Sequence, residues 1–496
     1  MSGYLREVLR GAAGTGVSRV CGLLREAAVA HVFGASSAYD AFLIAYFVPN
    51  LLRRVLGEGG LAAAFLPVYA ELRERGEGRA LAGSTLLVLL VGLPPLCLAG
   101  SLLARWYVPI LAGGFSPAKL SLAVQLAEWL FPSLALISLG ALAGGLLNAH
   151  GRFFLPALAP AAVNVGMVVG ALVLARTVKP PVGGLVAGVL GGGAAMVAIQ
   201  LPAVRRLVGG IGPKRPPHPG LAAVGRRLLP VVGGLAVAEV NCLVDNRLAS
   251  YLAAGSVAVL QYAMRLFQFP VGVLAVSVAT AALPRLARHA ARGEDREVTA
   301  SLSHGFALVA ALMLPATGGL LVLGPPTVRA LFQHGAFTAA DAARTTAALG
   351  AYLAGLWAYG LIYLFSRTFY ALGRPGLPVI TAAAAVAVNV GLDLWWVGPW
   401  QTFGLALATG VAGWADALLQ GAVLWRRRPG WIRWRPVAAA LAAAGGMTGL
   451  MWTLDRWALG GAAAWTRLGV GLPTGLAAYL ALGWATGLWR QLRAAG

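Results

Sequence analysis

Seven basic residues of this 496-residue chain stand inside long apolar runs: Arg19, Arg25, Arg53, Arg54, Arg247, Arg265 and Arg367. The first sixty residues hold four of them, together with the acids Glu26, Asp40 and Glu58. An arginine at the centre of a membrane costs about 3 kcal/mol, so four facing lipid would oppose insertion by about 12 kcal/mol. They must face a wet cavity, one another, or the headgroup layer. Seven residues separate Arg19 from Glu26, which puts them on one helix face, and Arg25 lies about 120° round from Arg19. Glu26 can therefore partner either arginine. The guanidinium fork binds phosphate oxygens two at a time, so an excess of arginine suits an anionic substrate such as a diphosphate. Arg265, within Tyr262-Ala263-Met264-Arg265-Leu266-Phe267-Gln268-Phe269-Pro270, adds a similar charge in the second half.

A second constellation has different chemistry. Asn389 and Asp393 are four residues apart and share a helix face. Asp245 and Thr409 are the other polar residues that could converge with them. Carboxylate, amide and hydroxyl oxygens are hard ligands that suit Na+ or a proton, not zinc. A hydrogen-bond network between helices uses the same residue types, and spacing leaves both readings open. Arg247 lies about 200° from Asp245 on a helix, so the two are not expected to pair. Glu239 and Asp416 are further intramembrane acids to which the sequence assigns no role. Missing motifs matter as well. The chain has no Gly-Lys dipeptide and so no phosphate-binding loop of an ATP motor, no His-Glu-x-x-His, and no Gly-x-Ser-x-Gly. Cys21, Cys97 and Cys242 are scattered in apolar runs and read as packing residues. An enzyme is not expected, nor any cofactor beyond a Na+ ion.

The elements that position these residues follow from composition. The chain is 59% hydrophobic and 11% charged, with a mean hydropathy of +0.76. A water-soluble fold cannot bury that much apolar surface, so the fold class is an all-α integral membrane protein. Helices are expected near 5–32, 38–72, 80–111, 119–149, 154–177, 182–207, 226–252, 256–289, 297–324, 340–371, 377–397, 402–425, 436–454 and 466–489. That makes fourteen transmembrane helices, the second broken around Pro49 and Gly57-Glu58-Gly59-Gly60. Arg19, Arg25 and Glu26 interrupt the first run, which is therefore not read as a cleavable signal.

The net charge of +22 would suggest nucleic acid in a soluble chain. Sorted by loop, 24 of the 39 basic residues fall on the side of the termini and 8 on the other. The positive-inside rule then puts both termini in the cytoplasm and removes the case for a nucleic-acid partner. Five segments recur in order at offsets of 217 to 225 residues, among them Gly151-Arg152 with Gly373-Arg374 and Val163-Asn164-Val165-Gly166 with Val388-Asn389-Val390-Gly391. Six helices separate the copies, so the repeats are parallel. The expected organisation is an N-lobe of six helices over 1–210, a C-lobe of six over 220–428, and a C-terminal helix pair over 434–492.

At this level the residues resemble a known family. Ser18-Arg19-Val20-Cys21-Gly22-Leu23-Leu24-Arg25-Glu26, Phe33-Gly34-Ala35 with Asp40-Ala41-Phe42, and Pro49-Asn50-Leu51-Leu52-Arg53-Arg54 closely resemble the MurJ (MviN) family. So do Glu58-Gly59 before Ala64-Phe65-Leu66-Pro67, and Asn148 with Arg152-Phe153 and Pro156. These are lipid II flippases of the MOP exporter superfamily, and the resemblance covers essentially the whole chain. It implies transport of lipid II, the undecaprenyl-diphosphate-linked peptidoglycan precursor, from the cytoplasmic to the periplasmic leaflet of the bacterial inner membrane. The implied cycle is alternating access by a monomer, driven by membrane potential with help from Na+. The resemblance also implies substrate roles for Arg19, Arg25, Asp40, Arg53 and Arg265, with Ser18, Glu26, Asn50 and Glu58 supporting them. It matches a Na+ site to Asp245, Asn389, Asp393 and Thr409, and a lipid-tail groove to the last two helices. Gln268 stands where some relatives carry Glu, so a Glu–Arg switch there is not expected. The competing readings are a MATE-like drug or cation antiporter, which needs an acid-lined cavity, and a flippase for another polyprenyl-diphosphate-linked glycan. A polyprenol-linked glycosyltransferase would need an external catalytic domain that the short loops do not provide.

Overall fold

The computed structural model describes residues 3–54, 60–208 and 218–495, with side chains described except at 3–15, 60, 62–63, 208, 229–238 and 494–495. Glu58 and most of the break expected around it lie outside the described residues. Every regular element described is helical. The chain divides into two compact units, one of Met1–Glu239, Ala253–Gly255 and Gly335–Phe337, the other of Val240–Leu252, Ser256–His334 and Thr338–Gly496.

The first unit contains α1 (Gly3–Phe33), α2 (Ser37–Arg53), α3 (Gly60–Glu74), α4 (Gly78–Leu111), α5 (Pro117–Leu130), α6 (Pro132–Ala149), α7 (Phe154–Leu158), α8 (Pro160–Leu172) and α9 (Gly183–Val208). It also holds the start of α10 (Gly220–Ser250). Phe65, Tyr69, Leu81, Leu89, Leu142 and Leu146 form a core where α3, α4 and α6 meet. Against it, α8 and α9 pack backbone to backbone. A Cβ on Gly166 would sit 2.3 Å from the Gly188 carbonyl oxygen, and one on Gly192 would sit 2.6 Å from Val163 Cα. Lipid tails are as apolar as the helices, so close approach of small residues carries the association.

The second unit continues with α11 (Ser256–Pro270), α12 (Val276–Ala291), α13 (Asp295–Phe332), α14 (Ala339–Leu353), α15 (Leu356–Ala371), α16 (Gly376–Arg427), α17 (Trp434–Thr453), α18 (Ala464–Ala485) and α19 (Leu488–Ala495). α13 is its spine, packed by α12, α14, α15, α17 and α18. Trp431 meets Phe306 and Phe365 edge-on, with centroids 5.1 and 5.4 Å away, and Tyr479 Oη donates to the Ala311 carbonyl at 2.6 Å. Exposed tryptophans mark both ends of the last hairpin, Trp434 and Trp484 at one and Trp457 and Trp465 at the other. That is the placement of an interfacial aromatic belt.

Nine helices among the described residues are long and apolar enough to cross a membrane, or ten if the α14–α15 pair, bent by 45°, is one span. α1 is outside that count because of its charges, and α2 and α3 because of their length. α16 consists of two helices meeting at a kink within Gly376–Arg427, where two helices were expected. Each of the two is about 25 residues long, about 37 Å at 1.5 Å per residue, enough to cross a 30 Å core once. The α16 backbone leaves the helical region at Gln401 (φ 48°, ψ −130°), between the two expected spans.

Left-handed glycines recur at the repeat offsets: Gly34 and Gly255 (φ 58° and 84°), Gly76 and Gly293 (78° and 70°), Gly151 and Gly373 (72° and 69°). Helix breaks recur too. α5 gives way to α6 at Phe131, and α14 to α15 at Ala354–Gly355.

Candidate functional site

In the first unit, both described acids of α1 and α2, Glu26 and Asp40, are tied to a base. Arg25 Nη1 donates to Asn164 Oδ1 on α8 at 3.0 Å, and Arg25 Nη2 pairs with Glu26, which is buried. Asn164 Nδ2 donates in turn to the Ser18 carbonyl at 3.3 Å. Ser18, Arg25 and Glu26 therefore share one polar joint between α1 and α8. Arg19 is exposed one residue away from Ser18. In α2, Arg53 Nε and Nη2 both donate to Asn50 Oδ1, at 2.9 and 2.7 Å. Arg54 pairs with Glu239 of α10, which supplies the role the sequence could not assign to that acid.

Asp40 occupies the first turn of α2, where the helix dipole favours a carboxylate. It is 1% exposed. Its Oδ2 accepts from Lys119 Nζ and from the Gly255 backbone N–H, both at 2.7 Å. Lys119 lies 3.8 Å from the centroid of the Phe115 ring. The 253–255 and 335–337 segments belong to this unit for similar reasons: Ala336 N–H donates to the His31 carbonyl at 2.8 Å.

The second unit holds Arg265 and the acid cluster. Arg265 is exposed, and the Gln261 amide oxygen, turned towards it, accepts from Nη2 at 3.0 Å and Nε at 3.2 Å. An arginine steadied by an amide one turn back thus occurs in both α2 and α11. Asp245 of α10 and Asp393 of α16 lie close enough for each carboxyl group to feel the other. Asn389 and Asp393 are fully buried, and their side-chain oxygens have no hydrogen-bond partner among the described residues. Asp245 Oδ1 and Asn241 Oδ1 are unsatisfied as well. Thr409 is buried, and its hydroxyl bonds the Leu405 carbonyl on its own helix at 3.1 Å. Asp416, unassigned from sequence, accepts from Gln420 Nε2 at 3.0 Å.

Lys119 and Asn164 are partners that the sequence reading missed. They lie 79 and 139 residues from Asp40 and Arg25. The one available signal was that Asn164 is the repeat counterpart of Asn389. The correspondence goes further. Asp245 follows Arg25 by 220 residues and Asn389 follows Asn164 by 225. The same helix pair therefore carries a polar joint in each half, with an arginine in the first and aspartates in the second.

An all-helical membrane chain with this element order has the fold of a MOP-superfamily transporter. A MATE-family multidrug transporter of that superfamily, solved facing inward, superposes with a TM-score of 0.71 at 15% identity, covering 84% of this chain and 98% of the other. Within that class the chain belongs to the MurJ family: the sequence model described as "Lipid II flippase MurJ" matches residues 29–465. The lipid II flippase MurJ of Burkholderia cenocepacia is 33% identical over 446 residues, 86% of each chain. The Vibrio cholerae protein named "Probable lipid II flippase MurJ" is 32% identical over 497 residues, 94% of this chain and 93% of its own. A solved lipid II flippase MurJ in an inward-closed conformation superposes with a TM-score of 0.81 at 25% identity, covering 97% and 99%.

Proposed function

We propose that this protein flips lipid II from the cytoplasmic to the periplasmic leaflet of a bacterial inner membrane, as a monomeric transporter and not an enzyme. Family membership over residues 29–465 carries the reading. Arg19, Arg25, Arg53 and Arg265 handle the diphosphate, with Asp40, Ser18, Glu26, Asn50 and Glu58 in support. Arg53 and Arg265 are each steadied by a neighbouring amide, which holds the guanidinium fork in a fixed orientation suited to phosphate oxygens. The charge asymmetry of the loops supports fourteen spans in a 6+6+2 arrangement, with both termini cytoplasmic. Exposed apolar side chains on α17 and α18, including Leu472 and Leu476, suit a lipid tail lying along the final hairpin.

Transport runs by alternating access. Each negative charge moved outward against an inside-negative potential gains about 2.3 kcal/mol per 100 mV, so export of a diphosphate runs downhill. The unsatisfied buried oxygens of Asp245, Asn389 and Asp393 suit a Na+ ion whose inward movement resets the cycle. Three acids of the first unit, Glu26, Asp40 and Glu239, are each paired with a cation, which disfavours the acid-lined cavity a MATE-type antiporter needs.

The test is flipping in reconstituted vesicles. The wild-type chain is expected to move lipid II, and to restore growth in cells depleted of their own flippase. The variant with Arg19, Arg25, Arg53 and Arg265 all changed to Gln is expected to do neither. Equal flipping by that variant overturns the substrate assignment.

A further inference from the structure

We propose that the second unit carries a site for an anionic bilayer phospholipid in the cleft between α12 and α13. The cleft is a cavity of about 710 Å³, lined at one end by Arg285, Arg288 and His304 and at the other by Val278, Ala282 and Leu308. Neither arginine has an ion pair or hydrogen bond among the described residues. Glu297 and His289 also line it. His289 is engaged by Glu294, with Nδ1 2.5 Å from Oε2; Glu294 also lies near Arg288, and Glu297 is the acid in the lining of the cleft. His304 Nδ1 is buried without a hydrogen-bond partner among the described residues.

The shape suits a lipid better than a free anion. Ser277 to His289 spans twelve residues of α12, about 18 Å along the axis. The basic end lies beside the α12–α13 turn, at the cytoplasmic boundary in the orientation proposed above, and the apolar end runs into the span Ser256–Ala291. A phosphate diester can meet Arg285 and Arg288 while the upper part of an acyl chain lies against Ala281, Ala282 and Leu308. General topology charge does not account for the pair. At the repeat offset of 217, the first half has Val68 and Glu71 in these positions, and Glu71 is already bound by Arg75 at 2.8 Å.

The experiment is lipid retention by the purified full-length chain, counted by native mass spectrometry during titration with phosphatidylglycerol or phosphatidylcholine. Phosphatidylglycerol is expected to bind about tenfold or more tightly than phosphatidylcholine, and the preference is expected to vanish in R285Q/R288Q. The charge-matched control R426Q/R427Q is expected to keep it. Loss of preference in both variants, or in neither, overturns the proposal. So does displacement of phosphatidylglycerol by millimolar inorganic phosphate, which would make this a free-phosphate site. Preferential binding of undecaprenyl diphosphate at the same arginines also overturns it, because the cleft would then belong to the substrate path. Retention requires no transport, so it succeeds or fails independently of the flipping test.

Discussion

Lys119 separates a structural use of Asp40 from a direct part in transport. The pair is buried, with side-chain exposures of 13% and 1%. Removing one partner of a buried ion pair strands the other charge and typically costs about 3–5 kcal/mol. Lys119→Met should therefore lower the melting temperature strongly. Asp40→Asn combined with Lys119→Met should recover much of the loss, because the Asn oxygen can still accept from the Gly255 N–H. A Lys119→Met protein as stable as wild type would show that the pair does not hold the 253–255 segment. Glu26 was legible in the sequence as a partner for either arginine of α1, and the structure pairs it with Arg25. Lys119 read only as a loop cation, since nothing local reports a partner 79 residues away.

At the scale of elements, the α8–α9 seam gives a paired prediction. Gly166→Ala would put a methyl group 2.3 Å from a backbone oxygen, and backbone cannot yield as a flexible side chain can. Overpacking of this kind costs about 1–3 kcal/mol. Gly191, on the same helix as Gly188, has nothing within 4 Å of its absent Cβ. Gly191→Ala should be neutral or stabilising by up to about 1 kcal/mol through helix propensity. Thermal melts of the two variants should move in opposite directions, and parallel shifts would refute the packing argument. The helices themselves were readable from apolar length, because only a helix satisfies its own backbone in lipid. Their interruptions were less so. The α14–α15 break falls at Ala354–Gly355, inside a run expected as one helix, whereas the kink of α16 at Gln401, two residues after Pro399, lies in the gap expected between 397 and 402.

At the scale of the whole molecule, the Na+ reading has a thermodynamic signature. An ion that binds only the folded chain stabilises it by about 2.7 kcal/mol at one hundred times its Kd. Na+, compared with choline at equal ionic strength, should raise the melting temperature of the wild type. It should leave Asp393→Asn unchanged, and a wild type indifferent to Na+ would remove the coupling ion. Of the four expected ligands, Asn389 and Asp393 were legible as a pair through helical spacing, and Asp245 and Thr409 only as further polar residues that could converge with them. The described hydrogen bond of Thr409 stays within its own helix.

The joints at Arg25–Asn164 and at Asp245 with Asn389 and Asp393 bear on how such a chain could arise. Two separate copies of one ancestral half would have shared every residue, so both would have carried the same sign of charge at that joint. Joining the halves in a single reading frame lifts that restriction, because each copy then mutates on its own. An ion-paired arginine at the joint of one half and a cluster of aspartates at that of the other is a difference that a pair of identical subunits could never inherit.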